Sequence, residues 1–176
     1  MKNEQYQSVY YGKVNQQDWS FYIAVTDKGL CFVGSPNKSI NEIKNWLNKN
    51  RPDTILIKNE EKTGQYVQQM KEYLHGQRTV FDLPIDLNGT PFQESVWREL
   101  QHIPYGEVIS YTDIADKIGH PKAVRAVGAA NGANPVMIVV PCHRVVSKSG
   151  KLTGFRGGLE MKKTLLTLEN SKKIGG

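Results

Sequence analysis

The stretch Asn134 to Val146 reads Asn-Pro-Val-Met-Ile-Val-Val-Pro-Cys-His-Arg-Val-Val and constrains this chain more than any other. It places one cysteine beside one histidine at the end of the most apolar run in the sequence. Val136 to Val140 is short, rich in β-branched residues and bounded by prolines, the pattern of a buried strand. Pro141 has no backbone N–H and biases Val140 toward an extended conformation, so the strand is expected to stop there. Cys142 then falls where the chain turns off a buried element, with His143 and Arg144 beside it. On a continuing strand Cys142 and His143 would point to opposite faces, whereas a helical turn lets them lie on one side. A neighbouring histidine and positive charge lower a thiol pKa and supply thiolate. A Cys-His pair alone is a weak signal, because free cysteine is often buried and usually only packs.

The remaining sequence narrows the class. A chain of 176 residues suits one large domain or two small ones. No apolar run approaches the ~20 residues that span a bilayer. The start, Met-Lys-Asn-Glu-Gln-Tyr, does not read as a signal peptide, so no membrane association and a cytoplasmic location are expected. The two cysteines, Cys31 and Cys142, then read as free thiols in a reducing compartment. His75, His102, His120 and His143 have no ligand spacing with either, so no metal site is expected. The net charge is +6. Residues 86–176 carry 12 basic and 8 acidic side chains, net +4, against 11 and 9, net +2, in residues 1–85. The excess leans toward the half with the Cys-His pair and suits a polyanionic partner.

Residues 1–85 read as a small α/β domain. Strands are expected at Ser8–Tyr11, Trp19–Val25 and Leu30–Val33, with Thr26-Asp27-Lys28-Gly29 as a hairpin turn. Ser39-Ile40-Asn41-Glu42 has the form of a capping box ahead of a helix whose inner face is Ile43, Trp46 and Leu47. Pro52 ends that helix, Thr54–Ile57 is a brief strand, and Glu60–Leu74 is a helix with Tyr66, Val67, Met70, Tyr73 and Leu74 inward. The aromatics and Cys31 read as core. Phe81–Gly89, with Asp82, Asp86 and Asn88, reads as an exposed crossover, and the boundary is placed near Ile85.

Residues 86–176 read as mostly helical. Thr90-Pro91-Phe92-Gln93 is a capping box with proline at the first helical position, followed by Phe92, Val96, Trp97 and Leu100 at helical spacing. Pro104-Tyr105-Gly106 turns the chain. Ser110-Tyr111-Thr112-Asp113 caps a helix that buries Ile114 and Ile118. After Gly119-His120-Pro121 a second helix runs from Lys122 to about Ala130, which makes a helix-turn-helix signal. That second helix is nearly all Ala and Gly around Arg125. Val146–Lys151 is a basic loop, Thr153–Gly158 is glycine-rich without the Lys-Ser/Thr of a phosphate loop, and Glu160–Glu169 is a last helix before a fraying tail, Ser171–Gly176.

Pro141-Cys142-His143-Arg144-Val145, with Asn134-Pro135 and Arg125-Ala126-Val127-Gly128 upstream, closely resembles the active-site signature of the 6-O-alkylguanine-DNA alkyltransferases. The resemblance extends through Tyr105–Tyr111, Gly154–Gly158 and Leu165–Glu169, over roughly the second half of the chain. It implies a small ribonuclease H-like α/β domain followed by a mostly α, winged-helix-like domain with the helix-turn-helix. It also implies a DNA repair protein that flips out 6-O-alkylguanine, and 4-O-alkylthymine, and transfers the alkyl group to Cys142 once, without a cofactor. By the same resemblance His143 takes the thiol proton, through a water, Glu169 orients His143, Asn134 ties the helix to the Cys turn, and Tyr111 donates to the guanine ring. Val145, Phe155 and Arg156 border the base pocket. Phe155 stands where some relatives have Tyr, and Arg156 where a smaller residue is common, which leaves the range of alkyl groups open. The expected DNA contacts are Thr112, Ala123, Arg125, Ala126, Asn131 and Lys148, with Arg125 filling the gap left by the flipped base in the minor groove. The partner is double-stranded DNA and a monomer is expected. The competing readings are a non-enzymatic alkyltransferase-like lesion binder, whose members lack the cysteine, and an unrelated Cys-His hydrolase.

Overall fold

The computed structural model describes residues 5–174. Residues 1–4, part of the stretch read as free of a signal peptide, and residues 175–176, part of the expected fraying tail, lie outside the described residues. The first half is built on a four-stranded sheet of β1 (Gln7–Asn15), β2 (Ser20–Thr26), β3 (Gly29–Val33) and β4 (Thr54–Lys58), in the order β3-β2-β1-β4. β1–β2 and β2–β3 are antiparallel, and β1–β4 is parallel. Side chains alternate across a strand, so the sheet has two apolar faces. Val9, Ala24 and Cys31 join Ile43 and Leu47 of α1 (Asn41–Asn50) on one side. Phe21, Ile23, Val25, Leu30 and Val33 join Tyr66, Met70 and Tyr73 of α2 (Glu60–Leu74) on the other.

The second face does not stop at α2. Its core is continuous with Val96, Trp97 and Leu100 of α3 (Pro91–Leu100), Ile114 of α4 (Tyr111–Lys117), Val127 of α5 (Val124–Gly132) and Leu165 of α6 (Leu159–Ile174). The two halves therefore share one core, and the arrangement is a small mixed sheet with helices followed by a mostly helical part. The capping boxes at Thr90 and Ser110 form in full, each side-chain oxygen accepting from the N3 backbone while the N3 side chain returns to the N-cap N–H. Two short strands, β5 (Ile109–Ser110) and β6 (Val145–Val146), pair in parallel and tie the start of α4 to the residues after Cys142.

Several sequence expectations differ from the structure, each for a physical reason. Val136–Val140 is buried but is no strand: it folds back on itself, Val140 N donating to Val136 O at 2.9 Å, with Ile138 at φ 76°. An apolar run between prolines specifies burial, and burial does not distinguish a strand from a compact turn. The capping box at Ser39 does not form. Glu42 instead accepts from Ser35 N at 2.7 Å, and the Ser39 hydroxyl accepts from Asn41 N at 3.3 Å. The Phe81–Gly89 crossover is not simply exposed. Ile85 bridges Leu30 beside β3, and Asp86 accepts from the Thr26 hydroxyl at 2.6 Å and Arg51 Nη1 at 3.1 Å. α5 starts at Val124 rather than Lys122, and α6 extends to Ile174, well past Glu169.

Gly29 is the position where this docking is tightest. Its φ is 143°, and a Cβ there would lie 2.4 Å from Pro84 O, on the backbone segment that hydrogen-bonds to Leu30. Gly29→Ala therefore meets both backbone strain and a clash with main chain that has no rotamer to escape into. It is expected to cost at least about 2 kcal/mol of unfolding free energy, measured by urea denaturation. An unchanged midpoint would show that the linker does not bear on β3 as described.

Candidate active site

The turn that carries the cysteine is set by proline and clamped by asparagine. Pro141 has φ −82° and ψ 63°, and Cys142 N donates to Val140 O at 2.8 Å, which is an inverse γ-turn. A single 3-10 turn, Cys142–Arg144, follows at once. Asn134, just past the end of α5, is 1% exposed. Its Nδ2 donates to Val140 O at 2.8 Å and its Oδ1 accepts from Val136 N at 3.0 Å. One side chain therefore holds both ends of the loop around Ile138, a β-branched residue in a left-handed conformation that costs of order 1–3 kcal/mol unless its surroundings impose it.

Cys142 is 4% exposed. Burial pushes its thiol up, while the Asn134 amide and the Arg156 and Lys162 cations pull it back, and the net direction is upward. The resting group is therefore a neutral thiol that needs a base to become a nucleophile. Cys31 is a different case. It is fully buried in the sheet, its Sγ donates to Ala24 O at 3.4 Å, and its pKa is pushed up to about 12, chiefly by burial.

The carboxylate of Glu169, 1% exposed, gathers five donors. Oε1 accepts from Arg144 Nε at 2.8 Å and Gly106 N at 3.2 Å. Oε2 takes His143 Nε2 at 2.8 Å, Arg144 Nη2 at 2.9 Å and the Tyr73 hydroxyl. Burial by itself would raise this carboxyl, but the hydrogen bonds from His143, Arg144 and Tyr73 outweigh it and hold it far below the usual carboxylate range. An ionised acceptor opposite Nε2 fixes that nitrogen as the one bearing hydrogen, leaving Nδ1 as the imidazole's acceptor. Nδ1 is buried with no hydrogen-bond partner among the described residues. Burial lowers the His143 pKa more than Glu169 raises it, so the ring is neutral at rest.

The remaining residues singled out from sequence divide by position. Tyr111 is half-buried, and its hydroxyl is 2.7 Å from Thr153 Oγ1, which ties α4 to the glycine-rich loop. Val145 O accepts from the buried Lys162 ammonium at 2.7 Å, and Lys162 also donates to Thr153 O at 3.2 Å. Phe155 packs against the shared core. Arg156 points away from solvent toward the first half: Nη2 donates to Val33 O at 2.6 Å and Pro135 O at 3.3 Å, and the guanidinium lies 4.7 Å from the Phe32 ring centroid. Asn131 lies beneath the surface, 4% exposed, and donates to Cys142 O at 3.4 Å, so it supports the Cys turn instead of facing outward.

Thr112, Ala123, Arg125, Ala126 and Lys148 are at least partly accessible on the helix-turn-helix side. α5 buries Val127, Ala130 and Asn131 and leaves Arg125, Ala126 and Ala129 outward. A Cβ at Gly128 or Gly132 would meet nothing within 4 Å, so the small residues there are not required by packing inside the molecule. Near the start of α4 the Asp113 carboxyl is held below its usual value, first by the Ser110 N–H and hydroxyl, with Lys117 and Lys148 adding to the effect.

Sequence reasoning missed two side chains at this site. Lys162 lies at i−3 to Leu165 and i−7 to Glu169, on one stripe of α6, so helical spacing already marks it as inward. Tyr73 carries no such signal: it sits 96 residues from Glu169 and reads as an ordinary inward-facing aromatic.

Known proteins resemble this chain over nearly all of its length. The family model described as 6-O-methylguanine DNA methyltransferase, ribonuclease-like domain, matches residues 9–87, and that for the DNA binding domain of the same proteins matches residues 91–171. The inducible methylated-DNA–protein-cysteine methyltransferase of Bacillus subtilis is 52% identical over 162 residues, covering 92% of this chain and 90% of that protein. The crystal structure of Mycobacterium tuberculosis OGT in complex with DNA superposes with a TM-score of 0.79 at 39% identity, covering 93% and 94% of the two chains. The O6-methylguanine-DNA methyltransferase of Pyrococcus kodakaraensis has a TM-score of 0.67 at 25% identity, over 92% and 98%. By sequence over more than nine-tenths of its length and by fold, this chain belongs to the 6-O-methylguanine DNA methyltransferase family.

Proposed function

We propose that the protein repairs double-stranded DNA by moving an alkyl group from the 6-oxygen of a flipped guanine to Cys142, acting as a monomer and once per molecule. The observation that carries this is a buried thiol on a proline-set turn, followed at once by a buried imidazole whose Nε2 is bound to the Glu169 carboxylate and whose Nδ1 has no partner among the described residues. His143 accepts the thiol proton at Nδ1, through a water, and Glu169 stabilises the imidazolium as it forms. The thiolate attacks the alkyl carbon, the S–C bond forms and the C–O bond breaks with its electron pair going to the guanine. The Tyr111 hydroxyl donates a hydrogen bond to the guanine as negative charge develops on it, and the proton held by His143 passes through water to the released base. The net proton on guanine is the one lost by the thiol, so the reaction balances without a cofactor. The product thioether is stable, which makes the protein its own consumed reagent.

DNA binding falls to the outward face of α5 and its flanks. Ala123, Ala126 and the open positions at Gly128 and Gly132 permit close approach to a groove floor, Thr112 and Lys148 meet backbone phosphates, and Arg125 takes the place of the flipped nucleotide. Asn131 acts from within, on the Cys142 carbonyl. Val145, Phe155 and Arg156 border the base. The division into two domains falls near residue 85. A lesion binder without chemistry is disfavoured because the cysteine is present, and a Cys-His hydrolase because no acyl-binding element accompanies it.

Mass spectrometry after incubation with duplex DNA holding one methylated guanine is expected to find one added methyl group per protein, on Cys142. Repeated turnover, or a mark on Cys31, overturns the reading. Cys142→Ser is expected to retain DNA binding and lose transfer altogether, because an alcohol lacks the thiol's accessible anion. An active serine variant refutes the thiolate route. Arg125→Ala is expected to slow transfer from duplex DNA at least about tenfold, since flipping costs a few kcal/mol, while the rate with free benzylguanine stays near the native value. Arg125→Lys is expected to rescue only in part, because it restores charge without a planar fork. Equal losses on duplex and free base mean that Arg125 supports the fold instead of the flipped state.

A further inference from the structure

The carboxylate that orients His143 is held in part from the other half of the chain. Tyr73, at the end of α2, is fully buried, and its hydroxyl donates to Oε2 of Glu169, the same oxygen that takes His143 Nε2. The phenol oxygen is itself 3.4 Å from Nε2. Packing alone does not call for a hydroxyl here. The ring lies 5.2 Å from Phe81 and meets Tyr105 edge-on at 6.2 Å, contacts that a phenylalanine would keep. A buried hydroxyl is costly unless it is paired, and this one is paired with the charge that governs the histidine.

The groups that face His143 all act on its proton. The cations Arg144, on its own turn, and Lys162, on α6, disfavour imidazolium, and Glu169, also on α6, favours it. Tyr105, from the turn before β5, lies against Arg144 at 5.7 Å and carries a buried hydroxyl with no partner among the described residues. Gly106 N and Arg144 occupy Oε1. What remains is the balance at Oε2 between Nε2, Arg144 Nη2 and Tyr73. The phenol of Tyr73 is held well above its usual pKa, chiefly by burial and next by Glu169, so it remains a donor at every working pH.

We propose that Tyr73 is a positioning residue of the transfer reaction: its hydroxyl takes up part of the Glu169 charge at Oε2 and so keeps His143 a neutral base with Nδ1 free for the thiol proton. Alkyl transfer by the second half of the chain thereby depends on a helix of the first. The proposal rests on the reading of His143 as the general base. The direction follows from the charges. Without the phenol, Oε2 is left more fully to Nε2, imidazolium is stabilised, and the histidine holds its proton to higher pH.

The test is the pH dependence of Cys142 alkylation by free benzylguanine in the full-length protein, native against Tyr73→Phe. The acidic limb is expected to move up by about one pH unit, the worth of a hydrogen bond to a charged group. The rate below the limb then falls about tenfold while the high-pH plateau changes little. Phe81→Leu, which loosens the packing on Tyr73 and leaves the hydroxyl, is expected to leave the limb in place. Replacing Tyr73 alone with 3-fluorotyrosine, a stronger donor of near-native shape, is expected to move the limb the opposite way, and it serves if Tyr73→Phe does not fold. A uniform loss at all pH values, or a limb that stays put in both the phenylalanine and fluorotyrosine proteins, overturns the proposal. If the native protein acquires no alkyl group on Cys142, the transfer reading fails instead, independently of Tyr73.

Discussion

A buried carboxylate is the fixed point of this molecule. Removing an ionised group from water costs several kcal/mol after relaxation unless its oxygens are occupied, and Glu169 meets that demand with five donors from three separate segments. α6 supplies the acid, the 3-10 turn supplies His143 and Arg144, the Pro104–Gly106 turn supplies a backbone N–H, and α2 supplies Tyr73. Each segment is drawn to one point because the charge there has no other way to be satisfied. The histidine is oriented as a by-product of that requirement, so the satisfaction of the buried charge and the orientation of His143 rest on the same contacts.

The cysteine is placed by a second constraint, which is local. Pro141 fixes the γ-turn, and Asn134 binds both ends of the preceding loop. The strain at Ile138 persists because this amide and the surrounding apolar burial over-determine the loop. The result is a thiol at the start of a helical turn, with the chain on either side immobilised. Lys162 and Asn131 extend the same logic by occupying the carbonyls of Val145 and Cys142.

The two halves are joined through more than a shared apolar core. Arg156 reaches from the glycine-rich loop to Val33 O and to the Phe32 ring, Val33 N donates to Pro135 O, and Tyr73 reaches Glu169. The sheet, whose one thiol, Cys31, is fully buried, therefore acts as a backing for the glycine-rich loop and for Glu169. The outward face of α5 is free of such obligations, which suits it to meet another molecule.

Residues close in sequence made much of this protein legible without coordinates. The strand-turn-strand start, the helix at Glu60–Leu74, the capping boxes at Thr90 and Ser110 and the helix pair follow from periodicity and cap chemistry, which act over a few residues. The Cys-His motif identified the family for the same reason, since its spacing is local. What the sequence by itself could not determine involves long separations or competing local choices. The Val136–Val140 run had to be buried, but only the Asn134 clamp decided that it would be a strained turn. Ser39 and Glu42 had the residues of a capping box, yet Ser35 and Arg156 drew the glutamate elsewhere. Tyr73 looks like any inward tyrosine until α2 is packed on α6. Tertiary structure decided these because a buried charge or polar group takes whichever partner packing brings within reach, and sequence spacing carries no record of that choice.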